Sequence, residues 1–123
     1  MLKAIHTILI SGLIMLILDS IYLGTISKLF HELIAGIQRT AMIINPIGVI
    51  ACYLFLILGL YYFILRTKKS PVDAFLLGIL IYGVFEATNY ALFKKWPLHI
   101  AVIDTVWGGT LFALTTIITY SLL

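Results

Sequence analysis

The stretch SPVDAFLLGILIYGVFEATNYALFKKWP, Ser70 to Pro97, decides how this chain is built. Between Pro71 and Phe93 it is apolar except for Asp73, Glu86, Thr88, Asn89 and two tyrosines. A helix of that length spans the hydrocarbon core of a bilayer, which takes about 20 residues. The stretch opens with a hydroxyl for capping, a proline suited to the first helical turn, and Asp73 where a carboxylate meets the positive end of the helix dipole. Asp73 therefore reads as a start signal rather than a reacting group. Lys94, Lys95 and Trp96 close the stretch as a tight turn bearing residues that anchor at the membrane interface.

The same pattern repeats outward in both directions. The chain has 123 residues, 63% of them hydrophobic and 11% charged, with a mean hydropathy of +1.16. Those values lie far from soluble domains. Apolar runs cover about 4–26, 43–65, 71–93 and 98–122, predicting an all-α integral membrane protein. Its single domain, 1–123, is a four-helix transmembrane antiparallel bundle. The first run outlasts the usual h-region of a signal peptide, about 7 to 15 residues, and lacks a cleavage site, so it reads as a retained span. Span two opens with Asn45-Pro46, an N-cap followed by proline. Between spans one and two, Leu29, Phe30, Leu33, Ile34 and Ile37 recur at helical spacing opposite Lys28, His31, Glu32, Gln38 and Arg39. This predicts an amphipathic interfacial helix over about 27–40; a connector packed on the bundle end explains the periodicity equally well.

Charge and cysteine content narrow the partners. The net charge of +3 comes from span ends and favours membrane lipids over nucleic acid, for which no basic stripe or module motif is visible. Cys52 is the only cysteine, cannot form an intramolecular disulfide, and reads as a packing residue. An even number of spans puts both termini on one side, here side A, with Lys3, Arg66, Lys68 and Lys69; side B carries Lys28, Arg39, Lys94 and Lys95. The positive-inside count ties, and the compact Arg66–Lys69 group tips side A toward the cytoplasm. In a bacterium that means the inner membrane, and the near balance leaves dual insertion open.

Three acids lie within spans: Asp19, Glu86 and Asp104. Counted from the side B end of each span, all three fall roughly 9 to 10 Å inside the boundary at 1.5 Å per residue. Helical spacing sets Tyr22 on the face of Asp19, Asn89 and Tyr90 on that of Glu86, and Trp107 on that of Asp104. Gly83, Gly108 and Gly109 are the small residues expected to allow close helix packing. An ionised side chain facing lipid costs at least about 2.5 kcal/mol, so the acids should point inward. Three states satisfy such a layer: protonated acids hydrogen-bonded to Asn89 and the tyrosines, a bound cation, or a water-filled vestibule reached by a rim lysine. A purely structural polar knot that sets helix register is the plain alternative. His6 and His99 lie at opposite ends, no Glu-x-x-His pair occurs, and no metal or cofactor motif is present.

Asp19 with Tyr22-Leu23-Gly24, Tyr82-Gly83-x-x-Glu86-x-Thr88-Asn89, Trp96-Pro97 and Asp104-x-x-Trp107-Gly108 resemble the pattern of a small, mainly bacterial, predicted membrane protein family, the domain of unknown function 2177. The likeness spans nearly the whole chain. It implies four spans and weight on these positions, and supplies no activity. Tyr22 stands where tryptophan is commoner and Glu86 where aspartate is commoner. Small multidrug transporters are a looser likeness: they share four spans and an intramembrane acid, without the motifs.

Three functions compete on this evidence. The first is a proton- or cation-coupled small transporter or channel, a homo-oligomer because four helices leave little room for a wall and a pathway. In it Asp19, Glu86 and Asp104 bind a proton, a cation or a small lipophilic ligand, Asn89 and Tyr22 orient them, and Trp107 gates or stacks. The second is an intramembrane enzyme on a lipid or isoprenoid, using one carboxyl as acid and another as base. The third is an accessory subunit of a membrane complex, whose polar layer specifies packing.

Overall fold

The computed structural model describes residues 2–38 and 45–123, with side chains described outside 27–38. Four helices follow in order: α1 (Leu2–Gln38), α2 (Pro46–Leu60) extended by a π-helical turn (Tyr61–Leu65), α3 (Pro71–Leu92) and α4 (Leu98–Leu122). Each contains a segment long and apolar enough to cross a membrane: Leu2–Ile26, Pro46–Leu65, Pro71–Leu92 and Leu98–Leu122. The protein is a multi-pass integral membrane protein with an all-α, four-helix architecture.

The ends of α2 and α3 form as their residues dictate. Asn45 has extended backbone and accepts from the Ile47 and Gly48 amides at 3.0 and 3.4 Å, and Pro46 begins α2. Ser70 accepts from the Asp73 amide at 3.2 Å, and Pro71 begins α3. These side chains satisfy amides that a helix start leaves unpaired.

No separate interfacial helix is resolved among the described residues. Residues 27–38 continue α1, making one helix of 37 residues. No proline interrupts the chain between Ile26 and Gln38, so nothing forces the backbone hydrogen bonding to stop. The rest of the expected interfacial helix, with Arg39, and the first two residues of the expected second span lie outside the described residues, as do the side chains of Lys28, His31 and Glu32.

Helix α4 is the centre of the bundle. Half of its span is buried, against 17% for α2 and for α3. Helices α3 and α1 pack against α4, and α2 packs on α1. The α3–α4 contact is close because glycines make it so. A Cβ on Gly78 would strike the backbone of Gly108, one on Gly108 would enter the Tyr82 ring, and one on Gly109 would lie 2.8 Å from Ile79. With no hydrophobic drive between helices in lipid, such close backbone approach supplies the attraction through van der Waals contact. Gly83 differs: its Cβ would meet only Thr105 Cγ2, at 3.6 Å.

Toward side A an apolar cluster forms beside the buried hydroxyls of Thr7, Ser11, Thr115, Thr116 and Thr119. Met15 of α1, Leu56 and Leu60 of α2, Ile64 and Leu65 of the π turn, Ala74 of α3, and Leu111 and Phe112 of α4 are buried together. Tyr120 ties this end by donating to the Lys69 carbonyl at 2.6 Å. The outer faces carry exposed leucine, isoleucine, valine and phenylalanine side chains, as a lipid-facing surface requires.

Candidate functional site

The three intramembrane acids meet at one level of the bundle. Asp19 is 6% exposed, Glu86 1% and Asp104 7%. Each comes from a different helix, so their meeting depends on how α1, α3 and α4 pack. Asp19 accepts from Trp107 Nε1 at 3.0 Å and from the Tyr53 hydroxyl. Asp104 Oδ1 accepts from the Tyr22 hydroxyl at 3.1 Å, and Glu86 Oε2 accepts from Trp96 Nε1 at 3.3 Å. The Tyr22 and Trp107 rings stack, 4.7 Å between centroids and 5° from parallel, joining the Asp19 pair to the Asp104 pair.

Helical periodicity explains which residues meet. Tyr22 and Asp19 are one turn apart on α1, and Asp104 and Trp107 one turn apart on α4. The helices run in opposite directions, so Tyr22 reaches Asp104 while Trp107 reaches Asp19. The crossed pattern sets the register of α1 on α4. Continued toward side A, it carries Met15 to the level of Leu111, Ser11 to that of Thr115 and Thr7 to that of Thr119. All six are buried, and the Thr115 and Thr119 hydroxyls have no hydrogen-bond partner among the described residues.

Glu86 of α3 and Asp104 of α4 are both buried where these two helices pack together. Glu86 Oε1 is buried and receives no N–H or hydroxyl from the described residues. Two carboxylates cannot donate to each other, whereas a carboxylic acid donates to a carboxylate. Were both acids ionised, two negative charges would share a low-dielectric site, which a proton on one of them would relieve. Among the described residues, no group of three or more His, Cys, Asp or Glu side chains is gathered as a metal site.

A family model described as "Predicted membrane protein (DUF2177)" matches residues 4–121. The chain belongs to the DUF2177 family. No curated protein and no solved structure matches it.

Within this DUF2177 chain, the other residues singled out from sequence fall into different places. Trp107 and Tyr22 join the acids directly. Asn89 is half-buried, and among the described residues its side chain bonds to none of the three acids. Tyr90 is exposed on the outer face of α3. Trp96 is buried, with its indole turned inward onto Glu86, while Lys94 and Lys95 are exposed beside it. Gly108 and Gly109 make the close contact, with Gly78 rather than Gly83 as their partner across the helices.

Two site residues escape sequence reasoning, Tyr53 and the inward Trp96. Apart from Cys52, Tyr53 is the only hydrogen-bonding side chain in α2, which was the available signal. The site also meets the outside laterally. A groove of about 370 Å³ between α3 and α4 is lined by Gly83, Glu86, Tyr90, Ala101 and Thr105 among others, with Glu86 its only carboxylate.

Proposed function

We propose that this protein is a small proton-coupled transporter of lipophilic cations, with the Glu86–Asp104 pair as the exchange site. The observation that carries the reading is the pair of buried carboxyls, Glu86 Oε1 receiving no donor among the described residues, beside a groove between α3 and α4. In the resting state one proton bridges the pair. A lipophilic cation entering between α3 and α4 meets Glu86; the bridging O–H breaks, the proton leaves to water, and the carboxylates hold the cation instead. Trp96 and Tyr22 keep each carboxylate paired throughout. Asp19, held by Tyr53 and Trp107, positions the ring stack. The buried hydroxyls of Thr7, Ser11, Thr115 and Thr119 lead from this layer toward side A, and Met15, Leu111 and Phe112 close that route until the helices part. A homo-oligomer completes the wall of the pathway, and the termini lie on the cytoplasmic side, in the inner membrane if the source is bacterial.

The test is flux in vesicles. Reconstituted protein should drive uptake of a fluorescent lipophilic cation under an imposed proton gradient, and Glu86→Gln and Asp104→Asn should each reduce it to background. Undiminished flux in both variants, with folding verified by thermal melting, refutes the proposal.

The lateral, largely apolar groove also favours a second reading, an intramembrane enzyme that transfers a proton on a lipid or isoprenoid. Glu86 then acts as the acid and Asp104 as the partner that returns the proton. Its test is the lipid profile of cells lacking or overproducing the protein, where an unchanged profile removes it.

A further inference from the structure

The end of the bundle remote from the acids carries the opposite charge. A cavity of about 670 Å³ opens there, lined by Lys3, Thr7, Tyr61, Arg66, Lys68 and Tyr120 among others. Its cations come from α1 and from the loop after α2, and the packed bundle brings them to one opening. No aspartate or glutamate lines it. Among the described residues none of the three cations forms an ion pair; Arg66 instead lies over the Tyr62 ring, 4.2 Å from its centroid.

The loop that carries two of these charges is held in place. The π-helical turn, with the Arg66 amide on the Tyr61 carbonyl at 2.8 Å, sets Tyr61 and Arg66 one wide turn apart at the cavity. Lys68 has φ 53°, a left-handed backbone that non-glycine residues adopt only where their surroundings impose it. Tyr120 clamps the following carbonyl, that of Lys69. Three like charges fixed around one opening repel one another, and a bound anion turns that cost into attraction.

An adjacent surface suggests how the anion is delivered. A second groove of about 600 Å³ is lined by Leu2, Lys3, Ile5, His6 and Leu9. It shares Lys3 with the cavity, and Leu2, Ile5 and Leu9 are exposed along it. A charged cavity beside an apolar strip matches a lipid, headgroup in one and acyl chain along the other. Basic pockets between membrane helices are suited to such headgroups. We propose that this cavity binds the phosphate of an anionic lipid, with Lys3, Arg66 and Lys68 on the phosphate oxygens and an acyl chain along Leu2, Ile5 and Leu9. The site is separate from the acid layer and does not depend on what that layer does.

Binding is read by native mass spectrometry of the full chain in detergent, titrated with phosphatidylglycerol or phosphatidylcholine. Phosphatidylglycerol should bind the more tightly, and Arg66→Gln and Lys68→Gln should each weaken it by about fivefold, while Lys94→Gln at the other end leaves it unchanged. Equal affinity for the two lipids, or phosphatidylglycerol binding that survives the Arg66→Gln/Lys68→Gln pair, overturns the proposal. Should that pair fail to fold by circular dichroism, Lys3→Gln decides in the same way. Inorganic phosphate is the remaining arm: weak competition supports a lipid source, whereas binding as tight as the lipid's overturns it in favour of a free anion.

Discussion

The two ends of this bundle handle charge in opposite ways. Toward side B, Asp19, Glu86 and Asp104 are buried and paired with tyrosine and tryptophan donors, so the negative layer is closed and largely satisfied. Toward side A, Lys3, Arg66 and Lys68 ring an open cavity that no aspartate or glutamate side chain among the described residues lines. Between them lies the apolar block of Met15, Leu60, Leu111 and Phe112. The contrast follows from solvation. Short carboxylates cannot reach the interface from within the core and need internal donors, whereas lysine and arginine at helix ends keep their charges in water. On the two proposals above, the buried layer holds a proton and the open ring a lipid phosphate.

The contrast can be broken most forcibly through the α3–α4 contact that sets the acids side by side. Gly108→Leu would drive a side chain into Tyr82, with a cost of at least about 3 kcal/mol and loss of a monodisperse species in detergent chromatography. Gly83→Ala is its control, with a change within about 0.5 kcal/mol, because its Cβ makes only ordinary contact. Next is Trp107→Phe, which keeps a ring on Tyr22 but removes a donor to Asp19. It should lower stability by about 1 to 3 kcal/mol, read as the thermal midpoint. Tyr22→Phe should cost about 1 to 2 kcal/mol, and much less once Asp104→Asn is present; additive losses would show that the two side chains are not coupled. The smallest effect belongs to side A. Tyr120→Phe should cost about 0.5 to 1.5 kcal/mol and weaken phosphatidylglycerol binding by loosening the Lys69 loop, leaving cation flux unaltered.

Much of this was legible in the residues. Twenty-residue apolar runs, Asn45-Pro46 and Ser70-Pro71 placed the spans and two helix starts, because a backbone in lipid must satisfy its own hydrogen bonds and caps act locally. Counting depth from the helix ends brought Asp19, Glu86 and Asp104 to one level, since rise per residue is constant. Trp96 read as an interface anchor by its place in a lysine-rich turn, yet its indole reaches inward to Glu86. Asn89 read as a partner by spacing alone, and spacing does not say whether the angle around the helix leads to the acid or past it.

What the sequence by itself determined is the number of spans, the level of the acids and the charge at each end, all of which follow from rise, period and solvation along one helix. Only the tertiary structure decided which donor each carboxyl receives, that Tyr53 and Trp96 are among those donors, that Gly78 rather than Gly83 opposes Gly108, and that Lys3 joins Arg66 and Lys68 around one cavity. Those outcomes depend on the rotation and crossing of one helix against another. Such angles are set by the fit of many side chains at once, and no single stretch of chain contains them.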